Sequence, residues 1–142
     1  MLEHADTSEK VLGCCFEVIK ELGAGFVESV YEKAMLVALR DKGVGAEAQV
    51  PLRVLFRGHC VGEFFADIVV QDAVIVELKA VKTLAPEHQA QLINYLNASG
   101  KTVGLLVNFG NARLEYKRLY GKGNKDKQDG QDKKQEGVYS IL

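Results

Sequence analysis

One short segment, Asp67-Ile-Val-Val-Gln-Asp-Ala-Val-Ile-Val-Glu77-Leu-Lys79, constrains this chain more than any other, because it sets charges inside apolar runs at strand spacing. Alternate residues of a strand share a face, so Glu77 and Lys79 point the same way out of a run, Val74 to Val81, that is otherwise apolar enough to be buried. An ionised carboxylate in a dry setting is costly unless it pairs or binds a metal. The register of a hairpin decides whether Asp67 can join them. Residues directly opposite in an antiparallel pair lie on one face, and Asp67 opposes Glu77 if Val70 opposes Val74 across the three-residue loop Gln71-Asp72-Ala73. A two-residue loop would set Asp67 opposite Val76 and split the acids between faces. In the first register Ala66, Ile68, Val70, Val74, Val76 and Leu78 form an apolar face. The functional face is then Phe65, Asp67, Val69, Ile75, Glu77 and Lys79.

Around this hairpin the periodicity predicts a helix from Thr7 to Leu22, with Val11, Leu12, Cys15, Val18, Ile19 and Leu22 on one side, Thr7 or Ser8 as its cap and Gly23 as its stop. A second helix runs from about Phe26 to Lys42, closed by Gly43. Its apolar side is Val27, Val30, Ala34, Ala38 and Leu39, while Glu28, Tyr31, Glu32 and Met35 share a mixed face. From Gln49 the pattern turns extended: Leu52 to Phe56 and Cys60 to Val70 are strands around a turn at Arg57-Gly58-His59, and Val74 to Val81 is the next. Pro86 opens a helix that reaches Ser99 before Gly100. Thr102 to Phe109 and Arg113 to Tyr120 are the last strands. The order α-α-β-β-β-α-β-β calls for an α/β fold with helices on a mixed sheet.

A chain of 142 residues, 47% hydrophobic and 26% charged, suits one globular domain, read here as residues 1–120. No apolar stretch approaches the roughly 20 residues of a membrane span, so no membrane partner is expected. The start, Met1-Leu-Glu-His-Ala-Asp, lacks the basic and apolar regions of a signal peptide, which points to the cytoplasm. Cys14, Cys15 and Cys60 show no zinc or redox spacing. A net charge of −1 argues against non-specific coating of nucleic acid, although it allows a local basic rim around an acidic site. Residues 121–142 change character: Gly121 to Gly137 holds no apolar residue, and this charged tail is expected to be disordered.

Two acids with one lysine are the ingredients of a magnesium site that cleaves phosphodiesters. The following helix adds Gln91 and Tyr95 one turn apart, a glutamine able to orient a water or phosphate and a tyrosine able to brace the lysine or backbone. Each residue also has a plainer account. Glu77 and Lys79 would make a surface ion pair if their strand were an edge, Asp67 could end a strand, Glu28 could be a first-turn acid at a helix's positive end, and Tyr31 and Tyr95 could be core-edge residues with wet hydroxyls. His59 and His88 are assigned to a turn and a helix surface.

Together Asp67, Glu77-Leu-Lys79 and Gln91-Leu-Ile-Asn-Tyr95 resemble the PD-(D/E)XK nuclease superfamily, particularly its RecB-like branch. Gly25-Phe-Val-Glu28-Ser-Val-Tyr31 is similar to the signature that names the GxxExxY family, small bacterial and archaeal proteins placed in that superfamily. The resemblance spans Thr7 to Tyr120. It implies a restriction-endonuclease-like fold and a magnesium-dependent nuclease, with manganese as the alternative ion and DNA or RNA as partner. By position it makes Asp67, Glu77, the carbonyl of Leu78 and Glu28 the metal set, Lys79 the residue that activates water and stabilises charge on phosphate, Gln91 a helper, and Tyr31 and Tyr95 supports. Two rivals stand beside this reading: a non-catalytic module on the same fold that binds nucleic acid or protein, and an accessory subunit that pairs with a second copy or another chain through an exposed sheet edge.

Overall fold

The computed structural model describes residues 3–123. Its elements are α1 (Ala5–Leu22), α2 (Glu28–Asp41), β1 (Ala46–Phe56), β2 (His59–Val70), β3 (Val74–Lys79), α3 (Pro86–Ser99), β4 (Val103–Asn108) and β5 (Glu115–Tyr120), the expected order. The strands form one sheet in the order β1-β2-β3-β4-β5. Only β3 and β4 run parallel, joined by α3, and the other neighbours are antiparallel. The charged tail expected from the sequence lies, beyond Gly123, outside the described residues.

Alternation on the central strands assigns each helix its face. Val74, Val76 and Leu78 of β3, with Ile68, Val70, Leu105 and Val107, pack under α1 and α2 against Val11, Cys15, Met35 and Leu39. On the other face Ile75, Val69, Leu106 and Leu119 meet Leu92, Ile93, Tyr95 and Leu96 of α3. Strand β3 is therefore buried on both sides from Val74 to Leu78, as parallel strands between helix layers are. Helix α3 approaches closely where β4 has no side chain: a Cβ on Gly104 would lie 2.9 Å from Leu92 Cδ1.

Four expectations change. Helix α1 begins before Thr7 and Ser8, with His4 at its N-cap in left-handed conformation (φ 55°), and Ser8 lies buried inside the helix. On α2 the buried stripe is Tyr31, Met35 and Leu39, whereas Val27 is 67% exposed. The face that read as mixed faces the core, because the Tyr31 hydroxyl is satisfied there: it donates to the Gly23 carbonyl at 2.6 Å and accepts from the Phe26 N–H at 3.2 Å. The Tyr31 ring stacks on Phe109, centroids 4.6 Å apart.

Strand β1 starts at Ala46 rather than Leu52, and its turn to β2 uses only Arg57 and Gly58, both at positive φ, so His59 already pairs with Phe56. As an edge strand β1 tolerates Pro51. Finally, Ala66 leaves the predicted apolar face. The β1–β2 register pairs Ala48 with Ile68 and Val50 with Ala66, but skips Gln49 and Asp67, and Gln49 is left-handed at φ 52°. Across this break Ile68 stays under α1 and α2 while Ala66 packs with Leu52 on the α3 side.

Candidate active site

Strands β2 and β3 pair Val70 with Val74, Val69 with Ile75 and Ile68 with Val76, the register that the loop Gln71-Asp72-Ala73 requires. At the next step side chains replace the backbone ladder. The Asp67 N–H donates to Glu77 Oε2 at 2.7 Å, and the Leu78 N–H donates to Asp67 Oδ2 at 2.8 Å. Each carboxylate thus holds the other's strand, and the two acids come together at the end of the hairpin.

Glu77 is 4% exposed on the central strand of the sheet, which excludes a surface ion pair on an edge. Burial, and then the negative charge of Asp67, push its carboxyl up to about 8. Burial also raises Asp67, opposed by the bond from the Leu78 N–H and by the charge of Lys79. Lys79, next on the Glu77 face, donates from Nζ to Gln91 Oε1 at 3.4 Å, which brings the α3 glutamine to the lysine. The Tyr95 hydroxyl is raised first by burial and then by the charges of Glu77 and Asp67, so it shares their field. Asp67, Glu77, Lys79, Gln91 and Tyr95 thus form one group.

The GxxExxY-like segment divides differently. Tyr31 is committed to the loop between α1 and α2 through Gly23 and Phe26, and Gly25 sits in that loop at φ 115°. Glu28 is exposed in the first turn of α2, a position that favours an acid at the positive helix end. One turn later, half-buried Glu32 raises both Asp67 and Glu77 by its charge. Its Oε1 accepts from Gln49 Nε2 at 2.7 Å, and the Gln49 side chain also helps keep Asp67 ionised. Neither Glu32 nor Gln49 was assigned a role from sequence. The i, i+4 spacing of Glu32 from Glu28 was available as a signal; the left-handed turn of Gln49 had none.

A polar clamp fixes the chain just beyond Lys79. Fully buried Asn108 accepts from the Val81 and Gly110 N–H groups, each at 2.9 Å, and donates to the Val81 carbonyl at 2.8 Å and Glu115 Oε1 at 3.1 Å. His88 closes the start of α3, its Nδ1 accepting from the Ala85 N–H at 3.0 Å.

Residues 5–119 match the sequence profile of the PD-(D/E)XK nuclease superfamily. The chain belongs to this superfamily. As a PD-(D/E)XK protein it also resembles, in fold, the crystal structure of SSO0001, with a TM-score of 0.52 and 16% identity over 74% of this chain. The match covers 56% of SSO0001, so the chain spans just over half that protein's length. No curated protein sequence matches it. Among the described residues no helix is long and apolar enough to cross a membrane, and no three His, Cys, Asp or Glu side chains cluster as a metal cage.

Proposed function

We propose that this PD-(D/E)XK protein is a nuclease that hydrolyses phosphodiester bonds in DNA or RNA with magnesium, or manganese in its place, and that it works in the cytoplasm. The observation that carries this reading is the mutual tie of Asp67 and Glu77, which holds two carboxylates side by side in a buried strand end with Lys79 on the same face. The donor set fits a hard cation. Asp67, Glu77 and the nearby Glu32 outweigh Lys79 in charge; burial raises both strand acids first, and the charges of Asp67 and Glu32 on Glu77, and of Glu32 on Asp67, add to it. Two carboxylates without a third suit magnesium, which keeps several waters when bound. A bound ion would supply Lewis acidity and a water of lowered pKa.

The residues of the chain then divide the work. Asp67 and Glu77 hold the ion, with the Leu78 carbonyl as a further oxygen. Lys79, at the edge of the buried acids, takes up negative charge on the phosphate and orients the attacking water. Gln91 holds the lysine head, and Tyr95 closes the α3 side. Gly25, Glu28 and Tyr31 further support a GxxExxY protein of the RecB-like branch, with Gly and Tyr shaping the loop and Glu28 at its rim.

The test is a cleavage panel of single- and double-stranded DNA and RNA with magnesium and with manganese. No cleavage of any substrate, together with no manganese binding in a titration, would hand the site to the non-catalytic reading.

A further inference from the structure

We propose that the outer half of the β1–β2 hairpin is a stacking platform that holds unpaired nucleotides of the substrate, a proposal that rests on the nuclease reading and names its substrate as single-stranded nucleic acid. Cross-strand partners share a face, and Phe64 opposes Leu52, which is buried among the residues beneath α3. Phe64 therefore stands on the α3 side, and its ring lies 5.4 Å from that of Tyr95. The ring also covers the bare backbone of Gly62, 3.7 Å from where a Cβ would be.

Farther out, the register slips between Val54 and Leu55, where Val54 pairs with Gly62 and Leu55 with Cys60. The extra residue, Val61, is on β2, so alternation along β1 carries from Leu52 through Val54 to Phe56. Phe56 is 58% exposed and Phe64 43% exposed. At strand rise the four steps from Leu52 to Phe56 cover about 13 Å. The Arg57 guanidinium lies over the Phe56 ring, 4.9 Å from its centroid.

These residues make a strip that begins at the hairpin tip with an arginine and an aromatic ring and ends at Tyr95, whose hydroxyl feels Glu77 and Asp67. The hairpin's acid at this level, Glu63, is the register partner of Arg53, and alternation puts both on the face opposite Leu52 and Phe64. Separate rings with a cation beside them suit bases and phosphates of a single strand, because each base has a π-face free to stack. In a duplex those faces are already taken by neighbouring bases. Gln91, one turn before Tyr95 on α3, accepts from Lys79 Nζ at 3.4 Å and gives the strip its direction: a strand laid along it runs toward Lys79.

The experiment measures fluorescence anisotropy of labelled oligothymidylate and of a duplex of the same length, with calcium replacing magnesium to hold back cleavage. Wild type is expected to prefer the single strand. The double variant Phe56→Ala, Phe64→Ala should lose single-strand affinity by about tenfold or more, with duplex affinity unchanged. Phe64→Trp should keep binding and Phe64→Leu should weaken it, which separates stacking from packing; circular dichroism melts check each fold. Unchanged single-strand affinity in the double variant overturns the platform, and so does an equal loss for duplex. Magnesium-dependent cleavage with unaltered KM for single strands in that variant removes the platform while leaving the nuclease reading in place, whereas no binding and no cleavage by wild type removes both. A light-scattering mass that falls from dimer to monomer in the variant, with nucleic-acid affinity intact, would assign the strip to a second copy of the chain and overturn the proposal.

Discussion

Asn108 treats Val81 as a neighbouring strand would, accepting from its N–H at 2.9 Å and donating to its carbonyl at 2.8 Å through one side-chain amide. No backbone ladder reaches Val81, since β3 ends at Lys79. The amide extends strand-like order past the lysine. Gly110 completes the arrangement, because a Cβ there would collide with the Val81 backbone. Asn108→Ala would leave half-buried donors at Val81 and Gly110 unmet and remove a fully buried side chain, and the expected loss is about 2–4 kcal/mol of stability in urea denaturation. A loss below about 1 kcal/mol would show that water replaces the amide without penalty.

Substitutions at the site should separate by role. Glu77→Gln keeps shape and removes charge, and should lower cleavage by about a hundredfold or more while the far-ultraviolet spectrum stays native. Lys79→Ala should lose cleavage to a similar extent yet keep manganese affinity or raise it, since a cation leaves the neighbourhood of the acids. Calorimetric titration of manganese reads the second half directly. Equal activity in wild type and Glu77→Gln would assign the cleavage to another site or to a contaminant.

The helix acid gives a prediction of order. Glu32 acts on both strand acids and is bonded to Gln49, whereas Glu28 is exposed at the helix start. Glu32→Gln should therefore reduce kcat/KM more than Glu28→Gln. The reverse order in steady-state assays would return the outer acidic role to Glu28.

Without metal the acid pair should make stability pH-dependent in an unusual sense. The folded Glu77 carboxyl stands at about 8 against 4.5 for an ordinary glutamate, so the folded state holds a proton that the unfolded chain releases first. This contribution is fully present below pH about 4.5 and is lost as pH rises toward 8. In EDTA the melting temperature should fall across that window, and Glu77→Gln should flatten the fall. A wild-type melting temperature that rises from pH 5 to 8, and rises equally in the variant, would contradict the buried repulsion.

Gln49 tests the cost of its own conformation. At φ 52° a residue with a Cβ is strained by roughly 1–2 kcal/mol relative to glycine, while the side chain returns part of this through Glu32 and Asp67. Gln49→Ala loses the bonds and keeps the strain; Gln49→Gly loses both. Chemical denaturation should find the glycine variant more stable than the alanine variant by about 1 kcal/mol.

The central hairpin was legible because alternation and loop length leave few registers, and Pro86, Gly23 and Gly100 mark helix ends chemically. Asp67, Glu77 and Lys79 accordingly share the face that alternation gives them, and Gln91 and Tyr95 reach it from α3. The α2 face was misread because Tyr31 counts as half-polar until its hydroxyl has found Gly23 and Phe26, partners across a loop that no helical period describes. Ala66 and the Gln49–Glu32 link escaped for another reason. Both depend on a flip in one backbone pair, and a glutamine in left-handed conformation carries no compositional mark.

Pro51 bears on whether the β1 edge of the sheet can accept a further strand. Strand β1 is a long open edge beside exposed Leu55, Phe56, Val61, Phe64 and Phe65, the combination from which fibrils and precipitates grow when one edge templates another. A proline nitrogen carries no hydrogen, so a strand added along that edge meets a missing rung near its middle. The hairpin can thus present apolar rings to solvent while its backbone refuses to propagate.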